Sequence, residues 1–142
     1  MKKLTVLLFE MLFFLVVAKA QHVWMTPLVE KTVAGTQYGS MLVFRSRGLW
    51  SFGGFYQSTL QEGVDGLRPA NFCGLTVAAP LMKSGRMNFY GNVRAGLVDQ
   101  TFVAVVPGLE TELKLSRKFS LAATMSIRMT YPSAGVKLYI RL

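Results

Sequence analysis

Few side chains in this chain are suited to catalysis or metal binding. Its only histidine is His22 and its only cysteine is Cys73. One Cys and one His do not make up a metal-ligand set. A serine nucleophile would need a general base, usually a histidine at neutral pH, and no Ser–His pair can be placed here. We therefore expect His22 to be a solvated residue near the start of the mature chain, and we expect no enzymatic activity, no metal and no cofactor.

Charged residues of both signs instead recur at alternate positions of several segments. They are Arg94, Glu110, Glu112, Lys114, Arg128, Lys137 and Arg141. If these segments are strands, the charges point to one side of the sheet, and if that side is the inside of a barrel, both signs must pair, because an unpaired buried charge costs several kcal/mol. The sequence thus predicts a lumen charge network, in which we expect Glu110 to lie near Arg128 and Arg128 near Lys137. Its main role would be structural, with a small ion pore as the alternative.

Alternation with period two is widespread after residue 20, and no stretch there has a convincing helical period. We predict an all-β fold of eight strands, approximately 22–33, 38–47, 50–59, 72–81, 87–97, 101–115, 119–130 and 132–142. Strands of roughly 9–11 residues suffice to cross a bilayer when tilted, and eight is the smallest usual number for a closed outer-membrane barrel. Pro107 and Gly108 predict a bulge near the rim of the sixth strand. The side chains expected to face outward are Leu121, Met125, Ile127, Leu138 and Ile140.

The connections between these strands alternate in a consistent way. Those after strands 2, 4 and 6 read SRGL, KSGR and SRK, and all are short. The longest connection, residues 61–71, follows strand 3. This parity is expected of a barrel with both termini and its short turns in the periplasm.

The first twenty residues, MKKLTVLLFEMLFFLVVAKA, have a basic start, an apolar stretch and a small-x-small ending. This is the layout of a cleaved secretory signal peptide, so we predict a signal peptide over 1–20 and one barrel domain over 21–142. Removing residues 1–20 leaves 13 Lys and Arg against 6 Asp and Glu, a charge of +7. Because the chain is predicted to be exported, this basic balance does not indicate nucleic acid as a partner.

The chain ends on PSAGVKLYIRL, an alternating strand whose last residue is Leu142. This ending resembles the C-terminal signal of Gram-negative outer-membrane barrels, although their last residue is most often Phe. The resemblance implies a closed up-and-down transmembrane barrel in outer-membrane lipid, recognised by the barrel-assembly machinery through its final strand. The last ~35 residues are also similar to the ends of small barrels encoded by conjugative transposons, which implies a place in conjugative transfer.

A soluble secreted or periplasmic barrel that binds a small hydrophobic ligand is the alternative. Alternation alone does not say which face of a strand points inward. The small polar residues of the seventh strand suit the narrow interior of an eight-stranded barrel, but they would also suit a soluble surface.

Basic residues also lie in or beside the three short turns. They are Arg45, Arg47, Lys83, Arg86, Arg117 and Lys118, and we refer to them as the basic rim. The rim has two interpretations: solubility of the turns, or docking to anionic headgroups or to an acidic envelope partner. From these features we expect a small outer-membrane barrel with a structural, anchoring or accessory role in an envelope assembly.

Overall fold

The structure, a computed structural model, describes residues 22–33, 35–59, 71–128 and 131–142. The predicted signal peptide, residues 1–20, lies outside the described residues, as does most of the long connection after the third strand. Within the described part there are eight strands: β1 His22–Thr32, β2 Gly35–Arg45, β3 Ser51–Thr59, β4 Asn71–Ser84, β5 Met87–Val98, β6 Phe102–Lys114, β7 Phe119–Arg128 and β8 Tyr131–Arg141. No helix in that part is long and apolar enough to cross a membrane.

The eight strands form one closed barrel in chain order. Every pair of neighbours is antiparallel, and β8 closes the ring on β1, with Trp24 opposite Arg141 and Lys31 opposite Ala134. The prediction of a closed, eight-stranded, up-and-down barrel is confirmed. Leu142 donates its backbone N–H to the carbonyl of Val23 at 3.0 Å, so hydrogen bonding to β1 continues to the last residue.

The register between strands fixes the geometry of the barrel. Starting at His22, successive partners around the ring are Arg45, Ser51, Ala78, Asn92, Gly108, Ser126 and Ser133. Continuing the β8–β1 register from Ser133 leads back to β1 at Thr32, ten residues beyond the start. A shear of ten over eight strands tilts them by roughly 35–45° and leaves an interior just wide enough for side chains to fill.

Each strand alternates between the two faces of the wall. On β7, Leu121, Met125 and Ile127 are exposed by 41%, 69% and 55%, while Ala122, Thr124 and Ser126 are buried. Leu138 and Ile140 share this outer face of the barrel and are half-buried, and they alternate with the inward-facing Lys137 and Tyr139. The outer surface is therefore apolar, while the interior combines polar and charged side chains with an apolar cluster that includes Trp24, Phe55 and Phe72.

Tight turns and glycines let the wall curve closely. The β5–β6 turn has positive φ at both central residues, Asp99 (48°) and Gln100 (59°), as a type I′ hairpin requires. Gly74 and Gly96 face each other across β4 and β5. A Cβ at either position would lie 2.1 Å from a carbonyl oxygen of the neighbouring strand, so these two positions require glycine.

The bulge predicted at Pro107 is wrong. The β5–β6 register continues through Pro107, which lies opposite Val93. Instead, the β6–β7 ladder among described residues ends at Gly108 opposite Ser126, next to the proline that has no N–H to donate. Within the described strands, a register shift lies instead in β4, between Pro80 and Met82.

Candidate functional site: the charged lumen and the basic end

Side chains fill the middle of the lumen, and three buried ion pairs among the described residues connect its walls at successive levels. Two of them join strands that are four apart in the ring of eight and therefore face each other across the barrel axis. These are Glu30 on β1 with Arg94 on β5, and Arg45 on β2 with Glu112 on β6. The third joins Glu110 on β6 to Lys137 on β8. Together these pairs connect separate strands of the wall through the lumen.

The pair of Glu30 and Arg94 has the most hydrogen bonds. Arg94 donates from Nη1 to Glu30 Oε2 at 2.7 Å and from Nη2 to Glu30 Oε1 at 2.8 Å, a bidentate geometry. The hydroxyls of Ser126 and Ser133 also donate to Glu30 Oε1, at 2.8 and 2.7 Å, and the amide of Gln57 donates to Oε2 at 2.8 Å. The carboxylate thus receives five hydrogen bonds, which offset the cost of burying it.

We call the end of the barrel at which β1 begins and β8 ends the terminus-bearing end. Glu110 lies nearer this end than Glu30 does. Lys137 Nζ donates to Glu110 Oε2, the hydroxyl of Tyr139 donates to Oε1 at 2.6 Å, and Asn92 donates to Oε2 at 3.4 Å. All four side chains are buried. This carboxylate is therefore held by a cation and a phenol from β8 and an amide from β5.

Arg45 and Glu112 form the level closest to the termini. Arg45 Nη1 reaches Glu112 Oε1 at 2.9 Å and Oε2 at 3.1 Å, and Glu112 Oε2 also accepts from Asn88 at 3.2 Å and Tyr90 at 2.9 Å. The guanidinium carbon of Arg45 lies 4.9–5.3 Å from the ring centroids of Trp24, Tyr90 and Tyr139. A cation in such an aromatic cage gains from the rings as well as from the carboxylate.

The structure places the seven residues of the predicted lumen network as follows. Arg94, Glu110, Glu112 and Lys137 are buried in the lumen. Lys114 is half-buried and Arg141 exposed, and both line the mouth at the terminus-bearing end.

Arg128 requires a correction, because it meets neither Glu110 nor Lys137. It is half-buried near the opposite end, where it donates to Gln37 at 2.9 Å and lies 4.6 Å from the centroid of Phe72. The prediction that Arg128 lies near Glu110 assumed a β6–β7 register in which Ser126 is opposite Glu110. In the structure Thr124 occupies that position, so Arg128 lies two residues further from Glu110 along the wall.

Arg45 also requires a correction, because it is 4% exposed and belongs to the lumen rather than to the rim. It is the last residue of β2, with its side chain on the inward face. Glu30 was missed altogether. Glu30 shares the inward face of β1 with Trp24 and Leu28. Because that face mixes large apolar side chains with one charge, the sequence pattern does not show that it faces the lumen.

The remaining members of the basic rim, Arg47, Lys83, Arg86, Arg117 and Lys118, are all exposed at the terminus-bearing end. Among the described residues towards this end, the acidic side chains are those of Glu110 and Glu112, and both are buried and paired. The end is therefore strongly basic, and nothing at its described surface neutralises it.

His22 also requires a correction. It is not a solvated residue ahead of the barrel but the first residue of β1, half-buried at the mouth. It has no serine or carboxylate partner among the hydrogen bonds of the described residues, and those residues contain no group of three or more His, Cys, Asp or Glu that could hold a metal ion.

The outer surface carries aromatic residues near both ends, separated by aliphatic residues. Tyr38, Tyr56 and Tyr131 are exposed by 45–57% on the half of the barrel away from the termini. Trp50 and Phe119 are exposed by 57% and 44% near the terminus-bearing end. Aromatic girdles around an apolar band are the surface pattern of barrels that span a membrane.

Comparison with known proteins agrees with this architecture. The chain has the fold of transmembrane β-barrels. It is similar to a de novo designed transmembrane β-barrel, with a TM-score of 0.71 and 8% identity over 87% of this chain and 98% of that one. It is similar also to the N-terminal β-barrel domain of Pseudomonas aeruginosa OprF, with a TM-score of 0.68 and 10% identity over 87% of this chain and 98% of that one. No family model matches the sequence, and no curated protein matches it.

Proposed function

We propose that the mature chain is a small outer-membrane barrel that serves as an anchoring or accessory component of an envelope assembly. The single observation that carries this proposal is the division of its surface. An apolar wall with aromatic girdles suits lipid, and an unneutralised basic end suits an acidic partner. In the outer membrane, with both termini in the periplasm, the basic end would face the periplasmic space.

The filled lumen supports an anchoring role over transport. Three ion pairs and their hydrogen-bond partners occupy the axis, with Arg94 and Glu30 bonded across it at 2.7 and 2.8 Å. An eight-stranded barrel has little room beyond its own side chains. The same filling argues against the soluble alternative, because buried ion pairs and apolar side chains already occupy the middle of the lumen, where a hydrophobic ligand would be enclosed.

The partners implied are outer-membrane lipid around the wall, the barrel-assembly machinery at β8, and an acidic envelope protein at the basic rim. A role in conjugative transfer rests only on the resemblance of the last ~35 residues to transposon-encoded barrels, and it remains a prediction.

Fractionation tests the membrane part of the proposal. We expect the protein in the outer-membrane fraction, with gel mobility that changes on heating, as is usual for folded barrels. Recovery wholly in the soluble periplasmic fraction would contradict the proposal.

Substitution of the rim tests the docking part. Replacing Lys83, Arg86, Arg117 and Lys118 together by Gln should leave the heat-modifiable mobility unchanged, since these side chains are exposed, and should abolish co-purification with the partner. Lys31→Gln, an exposed lysine at the opposite end, is the control and should retain the partner. If the quadruple variant keeps every partner at low salt, the rim is merely solvated.

A further inference from the structure

The lumen opens at the terminus-bearing end into a cavity of about 350 Å³. Its floor is formed by inward-facing residues of the barrel, among them Trp24, Arg45 and Glu112, and its mouth by Arg47, Arg117 and Arg141. The cavity thus lies at the mouth of the barrel, partly inside the ring of strands and partly between the adjoining turns, away from the lipid-facing wall.

The lining of this cavity is strongly biased in charge. Five Arg and Lys side chains line it, those of Arg45, Arg47, Lys114, Arg117 and Arg141, against the single carboxylate of Glu112. That carboxylate is already engaged by Arg45, Asn88 and Tyr90. Arg47, Arg117 and Arg141 form no salt bridge within the described part of the chain. The cavity therefore has an excess of positive charge that the described residues do not neutralise.

Two residues of the floor each have a buried donor with no hydrogen-bond partner. Arg45 is 4% exposed and Trp24 is 7% exposed, yet Arg45 Nε and Trp24 Nε1 have no hydrogen-bond partner. An unsatisfied buried donor costs about 1–3 kcal/mol. Five further buried polar atoms of the described residues also have no partner, among them Arg94 Nε and Thr124 Oγ1, so the two donors do not by themselves indicate a ligand. Both nitrogens belong to residues that line the cavity, and both can only donate.

We propose that this cavity binds a carboxylate group presented by an acidic peptide segment of an envelope protein. Arginines that form no salt bridge within the described part of the chain are suited to recognise an oxyanion. Trp24 and Leu49 add apolar surface that suits a peptide better than a free ion. A lipid headgroup is disfavoured, because the cavity lies away from the lipid-facing wall. The inference rests on the proposed docking function and locates its specific contact.

The two tryptophans of the chain make the binding measurable. Trp24 lines the cavity, while Trp50 is 57% exposed on the wall near the rim. In a Trp50→Phe background, the emission of Trp24 in the detergent-solubilised mature barrel reports on the cavity. We expect a saturable change on titration with a capped tetraglutamate peptide at low salt, and none with the matched tetraglutamine peptide.

Paired variants separate the cavity from general attraction to the basic end. Arg117→Gln with Arg141→Gln removes two charges from the lining and should weaken tetraglutamate binding by about tenfold or more, the effect of losing charged hydrogen-bond donors. Lys83→Gln with Arg86→Gln removes two charges outside the lining and should change it by less than about twofold. If the first variant does not fold, Arg47→Gln with Arg117→Gln gives the same contrast.

Three results would overturn the inference: no saturable response, equal weakening by both pairs of substitutions, or inorganic phosphate binding as tightly as the peptide. The last would indicate a site for free anions. A protein that fractionates with the outer membrane and needs its rim to retain a partner, but shows no Trp24 response, would lose this inference and keep the proposed function. A soluble protein that still binds tetraglutamate through Arg117 and Arg141 would contradict the proposed function and keep this inference.

Discussion

Arg94 extends across the barrel axis and donates hydrogen bonds from both terminal nitrogens to the carboxylate of Glu30, at 2.7 and 2.8 Å. One residue belongs to β5 and the other to β1, which are four strands apart in the ring of eight. Both are almost fully buried, at 2% and 3% exposure. This contact ties together walls that no backbone hydrogen bond joins.

Removing either member of this pair should therefore be costly. Glu30→Gln or Arg94→Met alone leaves an uncompensated buried charge, and we expect each to lower the free energy of unfolding by about 3–5 kcal/mol. The double variant should lose less than the sum, by about 2 kcal/mol. Urea unfolding from lipid vesicles, followed by tryptophan fluorescence, measures all three. Lys31→Gln with Arg86→Gln, exposed charges at opposite ends, should be additive, and additivity at Glu30 and Arg94 as well would show that the pair does not form.

Glu110 should couple to Lys137 and not to Arg128. In the structure Lys137 and Tyr139 both donate to Glu110, while Arg128 donates to Gln37. A double-mutant cycle of Glu110→Gln with Lys137→Met should show a coupling above about 1 kcal/mol, whereas the cycle with Arg128→Met should be additive within about 0.5 kcal/mol. Coupling to Arg128 alone would restore the register expected from the sequence. Tyr139→Phe should by itself cost about 1.5–3 kcal/mol, because a buried carboxylate loses a donor.

The facing glycines of β4 and β5 should tolerate no side chain. Gly74→Ala or Gly96→Ala places a Cβ 2.1 Å from a backbone oxygen of the neighbouring strand. We expect a large fall in folding yield, measured as the heat-modifiable fraction on a gel. Gly54→Ala is the matched control, since its Cβ would meet nothing nearer than 3.7 Å. Equal yields of all three variants would mean that the wall is less tightly curved at this point than described.

The sequence predicted the strands well. The outward face of a lipid-facing wall must be apolar, and this requirement imposes a period of two along each strand. It was poor at predicting which charges meet. Pairing across a lumen depends on strand register and on which strands lie opposite each other, and neither is set by local pattern. Glu110 and Lys137 are therefore predicted as members of a network, but their contact is not. Arg45 was placed on the rim because it borders a turn. It is in fact the last residue of β2, and adjacent positions of a strand point to opposite faces, so proximity to a turn did not show that its side chain enters the lumen.

Met125 and Thr124 are neighbours on β7, yet the first is 69% exposed on the wall and the second is buried in the lumen. Nitroxide labels placed singly along residues 121–127 of the protein in lipid vesicles test the central claim that this wall faces lipid. We expect collision with oxygen dissolved in the bilayer at Leu121, Ala123, Met125 and Ile127. Ala122, Thr124 and Ser126 should be shielded from both oxygen and a water-soluble nickel chelate. A label at Met125 that collides with the nickel chelate and not with the lipid-dissolved oxygen would contradict a transmembrane barrel.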